Sequence, residues 1–115
     1  MKTVVTGLIV FVFALSMGCS KKCNNEQPRA RILNNGTTAA SVQIKTSDGN
    51  TVNINNVDPS TASAYASYAA GAITFTITVN KVPYVKVVTV GNCYDYDIAI
   101  DANNTITVSP KDRNA

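Results

Sequence analysis

From Arg29 onward, apolar and polar residues alternate with a period of two. Each such run predicts a half-buried β-strand, because successive strand side chains point to opposite faces. Ala30 and Ile32 alternate with Arg29, Arg31 and Leu33; Val42 and Ile44 with Ser41, Gln43 and Lys45; Val52 and Ile54 with Thr51 and Asn53. The clearest run sets Ile73, Phe75, Ile77 and Val79 against Thr74, Thr76 and Thr78. Tyr84 to Val90 follows, with Val85 and Val87 on one side and Lys86 and Val88 on the other. Tyr94, Tyr96, Ile98 and Ile100 then alternate with Asp95, Asp97 and Ala99, and Ile106 and Val108 mark the buried side of a final strand. Ala64 to Ala69 reads as one more short strand.

Turn chemistry separates the runs. Asp48-Gly49 is a hairpin signal because both residues tolerate positive φ, and Asn34-Asn35-Gly36 is a similar turn. Lys81-Val82-Pro83, Gly91-Asn92-Cys93 and Asp101 to Asn104 supply the others, with Pro83 marking a strand start. The expectation is an all-β chain, a single antiparallel β-sandwich, Ig-like or transthyretin-like, of seven or eight short strands over residues 29–109, with residues 110–115 a frayed tail.

The chain ahead of these strands is different. Lys2 precedes an apolar run from Val4 to Leu15 broken only by Thr6 and Gly7, and small residues lead to Cys19. A dozen or so apolar residues are too few to cross a hydrocarbon core as a helix, which takes about 20, so residues 1–18 read as a cleaved signal peptide. Leu15-Ser16-Met17-Gly18-Cys19 resembles the lipobox of bacterial lipoproteins, with Ser16 standing where that motif usually has Leu. The resemblance implies that Cys19 is acylated, with palmitate among the expected chains, and becomes the first residue of the mature protein. Residues 19–28 are then a polar, lipidated tether. Lys21-Lys22-Cys23 lacks an acidic export run and Ser20 is not Asp, so the outer membrane is expected, its periplasmic face before the cell surface.

Roughly a hundred residues remain, enough for one small core. The chain of 115 residues carries a net charge of +3 with its basic residues scattered, which argues against a nucleic-acid footprint. Three cysteines become an even pair once Cys19 is given to lipid, so Cys23 and Cys93 are expected to form a disulfide. Two thiols without a histidine cannot close a zinc shell.

Arg29-Ala30-Arg31-Ile32-Leu33-Asn34, Ser41-Val42-Gln43-Ile44 before Asp48-Gly49, Ser63-Ala64-Tyr65, and Ala70-Gly71 before the Ile73 strand resemble an uncharacterised domain of bacterial lipoproteins and cell-surface proteins. The resemblance spans about Arg29 to Ile100 and departs at Asn35-Gly36-Thr37-Thr38, where the family has an Asp/Pro-rich turn. It implies a β-sandwich and carries over no catalytic residue.

Candidate chemistry is sparse. Asp95, Asp97 and Asp101 share one side of a strand and its exit turn, so they offer oxygens to calcium or an acid/base pair; a solvated strand face is the favoured reading, because nothing in the sequence supplies the remaining ligands. Tyr65, Tyr68, Tyr84, Tyr94 and Tyr96 offer a sugar or peptide platform, or simple packing. With no histidine and no Gly-rich phosphate loop ahead of a helix, an enzyme is not expected, nor a cofactor. The expectation is a lipid-anchored interaction module for an envelope protein or glycan; the alternative is an assembly or surface-fibre subunit using strand-edge pairing, which an unpaired apolar edge would favour. If Cys23 and Cys93 lie near the membrane, partner contact falls on the opposite turns, at Asn80, Lys81, Pro83, Asp101, Asn103 and Asn104.

Overall fold

The computed structural model describes residues 22–114, and these form two packed β-sheets. The strands are β1 (Arg29–Asn35), β2 (Ala40–Lys45), β3 (Thr51–Val57), β4 (Thr61–Ala62), β5 (Ala66–Ser67), β6 (Gly71–Val79), β7 (Val82–Val90), β8 (Tyr94–Asp101) and β9 (Ile106–Asp112). The first sheet has the order β4-β1-β8-β9, with β5 beside β4 on the free edge of β1; the second has the order β3-β2-β6-β7. The expected β-sandwich is therefore the fold.

The alternating side chains make the core. Ile32, Ile73, Phe75, Ile77 and Ile98 are completely buried, and Ile44 and Ile100 nearly so. They come from β1 and β8 on one side and β2 and β6 on the other, so the two sheets bury each other's apolar face. Fully burying each such side chain is worth about 1.5–3 kcal/mol, which makes this face the main source of stability.

Among the described residues every strand pairing but one is antiparallel. β1 and β8 run parallel, Arg29 opposite Asp95 through Asn35 opposite Asp101, although the two strands are 66 residues apart in sequence. The antiparallel pairing expected of the sandwich thus holds in both sheets, with this one parallel joint in the first. Short turns predict neighbours along the chain, whereas β1 pairs across the sandwich with a strand reached only after the second sheet is built.

Three further differences have local causes. The turn after β6 is Asn80-Lys81 alone, both at positive φ (51° and 67°), closed by Val79 opposite Val82. That is a two-residue hairpin turn of the type that matches strand twist, so Val82 and Pro83 already belong to β7. β3 buries only Val57, with Val52 exposed and Ile54 half-buried, because it is an edge strand whose register slips between Ala40 and Val42. The end of the chain is not frayed at Pro110: β9 continues to Asp112, with Pro110 opposite Tyr96, and an edge strand tolerates the missing proline donor.

Candidate functional site

At one end of the sandwich, Cys23 and Cys93 form the expected disulfide, with Cα atoms 5.7 Å apart and 70 residues between them in sequence. Cys93 sits where the chain crosses from β7 in the second sheet to β8 in the first. Its backbone N–H donates to Glu26 O at 2.9 Å, and Arg113 donates to Glu26 Oε1 at 3.1 Å and to Gln27 O at 2.6 Å. Cys23 N–H donates to Asn114 Oδ1, and Tyr68 N–H to Pro28 O. The tether expected over residues 19–28 is therefore held to the domain from Cys23 onward. Cys19 lies outside the described residues.

The opposite end is made of turns. Parallel pairing carries the end of β1 beside the end of β8, and Asn34, Gly36, Thr37 and Thr38 join Asn80, Asp101 and Asn104 around a cleft of about 80 Å³. Of the six expected contact residues, Asn80, Asp101 and Asn104 line this cleft, while Lys81, Pro83 and Asn103 are exposed outside it. Asp101 Oδ1 accepts the Asn103 and Thr105 N–H groups at 2.9 Å each, and Asn104 Nδ2 donates to Tyr84 Oη at 3.0 Å. A pocket for an organic ligand takes about 300 Å³ or more, so this end is a surface with a wettable notch and not a binding cavity.

Asn34 organises the notch; the sequence marks it as the start of a turn, whereas it lies within β1. It is 1% exposed, donates to Thr38 O and Val57 O at 2.8 Å each, and accepts Gly36 N–H at 2.9 Å. One buried amide thus ties three segments together. The signal was present as an Asn on the apolar face of β1, two positions after Ile32, where a polar residue needs partners.

The acidic strand β8 is not a row of free carboxylates. Asp95 takes both oxygens to Arg29, at 2.8 and 2.7 Å, and lies 3.3 Å from Arg113 Nε. Asp97 is gripped by Arg31 at 2.9 and 3.2 Å and accepts the Tyr65 hydroxyl at 2.6 Å. The Tyr65 ring stacks against both guanidinium groups, with centroid distances of 4.7 Å to Arg31 and 5.5 Å to Arg29. Arg31 and Tyr65 hold the Asp97 carboxyl below the usual carboxylate range, and Asp97 in turn pushes the Tyr65 hydroxyl up. With Asp101 capping its own turn at the far end of the strand, the three aspartates do not converge. Among the described residues no group of three metal-ligating side chains comes together.

The five tyrosines also disperse. Tyr68 and Tyr96 are buried, and the Tyr96 hydroxyl accepts Gly91 N–H at 2.9 Å. Tyr94 is tilted against Tyr96 with centroids 6.1 Å apart, Tyr84 meets Asn104, and Tyr65 covers the arginines. They form no common platform.

The outer face of the second sheet is apolar along β7. Val85 and Val87 are each 60% exposed, next to the threonine row of β6. No family model matches the chain, and no curated protein matches it either. The likeness to bacterial lipoprotein domains thus rests on the strand pattern and turn residues quoted above.

Proposed function

We propose that this protein is a non-catalytic interaction module of the cell envelope, carried on a lipid at Cys19 and held at the periplasmic face of the outer membrane, where it contacts a protein or glycan partner. The observation that carries the reading is the disulfide. It fixes Cys23 at the end of the sandwich opposite Asn80-Lys81 and Asp101 to Asn104. Four residue steps from Cys19 to Cys23 reach at most roughly 14 Å, so an acylated Cys19 keeps that end beside the headgroups and turns the notch outward. Labelling with a fatty-acid analogue tests the anchor: a Cys19→Ala chain should neither label nor fractionate with membranes. Affinity tags placed at each turn of the anchored protein test the orientation. Partner capture should fall on altering Lys81 or Asn103 and persist on altering Asn92; the reverse pattern would turn the reading over.

A second reading is favoured by the exposed valines of β7: a subunit that assembles by strand pairing. Pro83 and Lys86 weigh against self-pairing at β7, and Pro110 and Lys111 at β9, since prolines and lysines blunt strand edges. Concentration-dependent polymerisation of the purified chain selects this second reading, and a monomer the first.

A further inference from the structure

β7 lies at the edge of its sheet, and no described strand pairs its outer side. In the β6–β7 hairpin the pair closing a two-residue turn, Val79 and Val82, is hydrogen-bonded, so Val82, Tyr84, Lys86, Val88 and Val90 bond to β6. The backbone groups of Pro83, Val85, Val87 and Thr89 therefore face the open edge, and only Pro83 lacks a donor there. The side chains of Val85 and Val87 stand exposed on the outer face beside that edge.

Lys86 decides what can pair. It lies opposite Phe75, whose side chain is completely buried, so Lys86 leaves the sheet on the core side and reaches solvent only because β7 is the edge. It makes no ion pair among the described residues. The hairpin from Gly71 to Val90 contains Lys81 and Lys86 and no acidic residue, and β2 adds Lys45, while β3 adds no charge. Two copies paired about Lys86 would set like charges directly opposite, which is unfavourable in a sheet. An opposite charge at that position is favourable.

We propose that β7 is a docking edge for an extended segment of a partner protein, with an acidic residue opposite Lys86 and β-branched residues beside Val85 and Val87. Main-chain hydrogen bonds supply the affinity, and the lysine with the valine face supplies the choice of partner. This rests on the interaction-module reading and names the partner's chemistry. The edge starts at Val82, directly after the Asn80-Lys81 turn, so a segment arriving at the end away from the disulfide meets it first.

The test uses the disulfide-bonded protein in solution without lipid, so failure of the anchor and failure of the edge are read separately. The probes are two short blocked peptides in which valines and then threonines flank a central residue, glutamate in one and lysine in the other. The glutamate peptide should bind roughly tenfold more tightly at low salt, with the gap narrowing as salt rises. Hydrogen exchange should slow at Val85, Val87 and Thr89. Lys86→Glu should invert the preference, an outcome that a merely structural lysine would not give. Val87→Pro, which removes one edge-facing donor and leaves the β6 ladder intact, should abolish binding; should that variant not fold, the charge inversion still decides. Equal binding of both peptides, no binding of either, or a preference unchanged by Lys86→Glu overturns the proposal. So does self-association that Val87→Pro blocks, which would assign the edge to a second copy of the chain.

Discussion

The two outer faces of this sandwich are built on opposite plans. On the first sheet, Arg29 and Arg31 of β1 meet Asp95 and Asp97 of β8 rung by rung, and Tyr65 lies across both guanidinium groups. Each of these four charges has a partner inside the chain. On the second sheet, Thr74, Thr76 and Thr78 run beside Val85 and Val87, and the strands carry lysines with no acid among them. That face satisfies nothing beyond its own ladders. A surface that closes its hydrogen bonds internally has little left to offer another molecule; one that leaves an edge, an apolar row and an unpaired cation exposed has all three to offer.

Perturbing the two sides should separate them by size of effect. The largest loss is expected at the disulfide, which joins the crossing between the sheets to the segment ahead of β1. Replacing Cys23 and Cys93 together by serine should cost about 4 kcal/mol by the chain-entropy estimate for a loop of this length, read from urea denaturation. Asn34→Ala comes next, at about 1–3 kcal/mol, because Val57 O loses its donor in a buried site and Thr38 O in a partly buried one.

The paired face should then show itself through pH. The Asp97 carboxyl is lowered in the fold, so its contribution is present above about pH 4 and is lost as pH falls through the lowered folded value. Tyr65 is raised, so its contribution is present below about pH 10 and is lost as pH rises through the raised folded value. Thermal melts across pH should show both limbs, with Asp97→Asn flattening the acid limb and Tyr65→Phe the alkaline one. The smallest effect is expected on the open face: Val85→Thr and Val87→Thr should stay within about 0.5 kcal/mol of the parent. A loss there as large as that of Asn34→Ala would mean that the valine row is structural and would erase the contrast.

The strands were legible because their cause is local. Ile73, Phe75, Ile77 and Val79 alternate with threonines, and a period of two leaves few other ways to bury them. The cysteine pair was legible from counting. What the sequence hid is what depends on which strand lies next to which. Asp95 and Asp97 looked like free carboxylates because their partners lie 66 residues earlier, and only the parallel register of β1 with β8 brings Arg29 and Arg31 to them. The same register assembles the notch from Gly36, Thr37 and Asp101. Pro83 drew the expected turn two residues too far, although the positive φ of Asn80 and Lys81 supplies the turn by itself. In sequence Pro110 signals the end of the last strand, whereas on an outer edge it costs the ladder little.

The parallel joint between β1 and β8 also sets an order of events in time. A chain made from its N-terminus presents β1 first, with Ala30 and Ile32 still without a neighbouring strand, and β8 follows only after the whole second sheet has emerged. The β6–β7 hairpin, closed by two residues, can form within microseconds, whereas β1, met on one edge by β4 and β5, has to wait on its other edge for a contact of long sequence separation. The last-made third of the protein thus completes the first-made strand. A nascent chain stopped before Tyr94 should bind a hydrophobic dye and a holding chaperone, and one extended past Asp112 should release both.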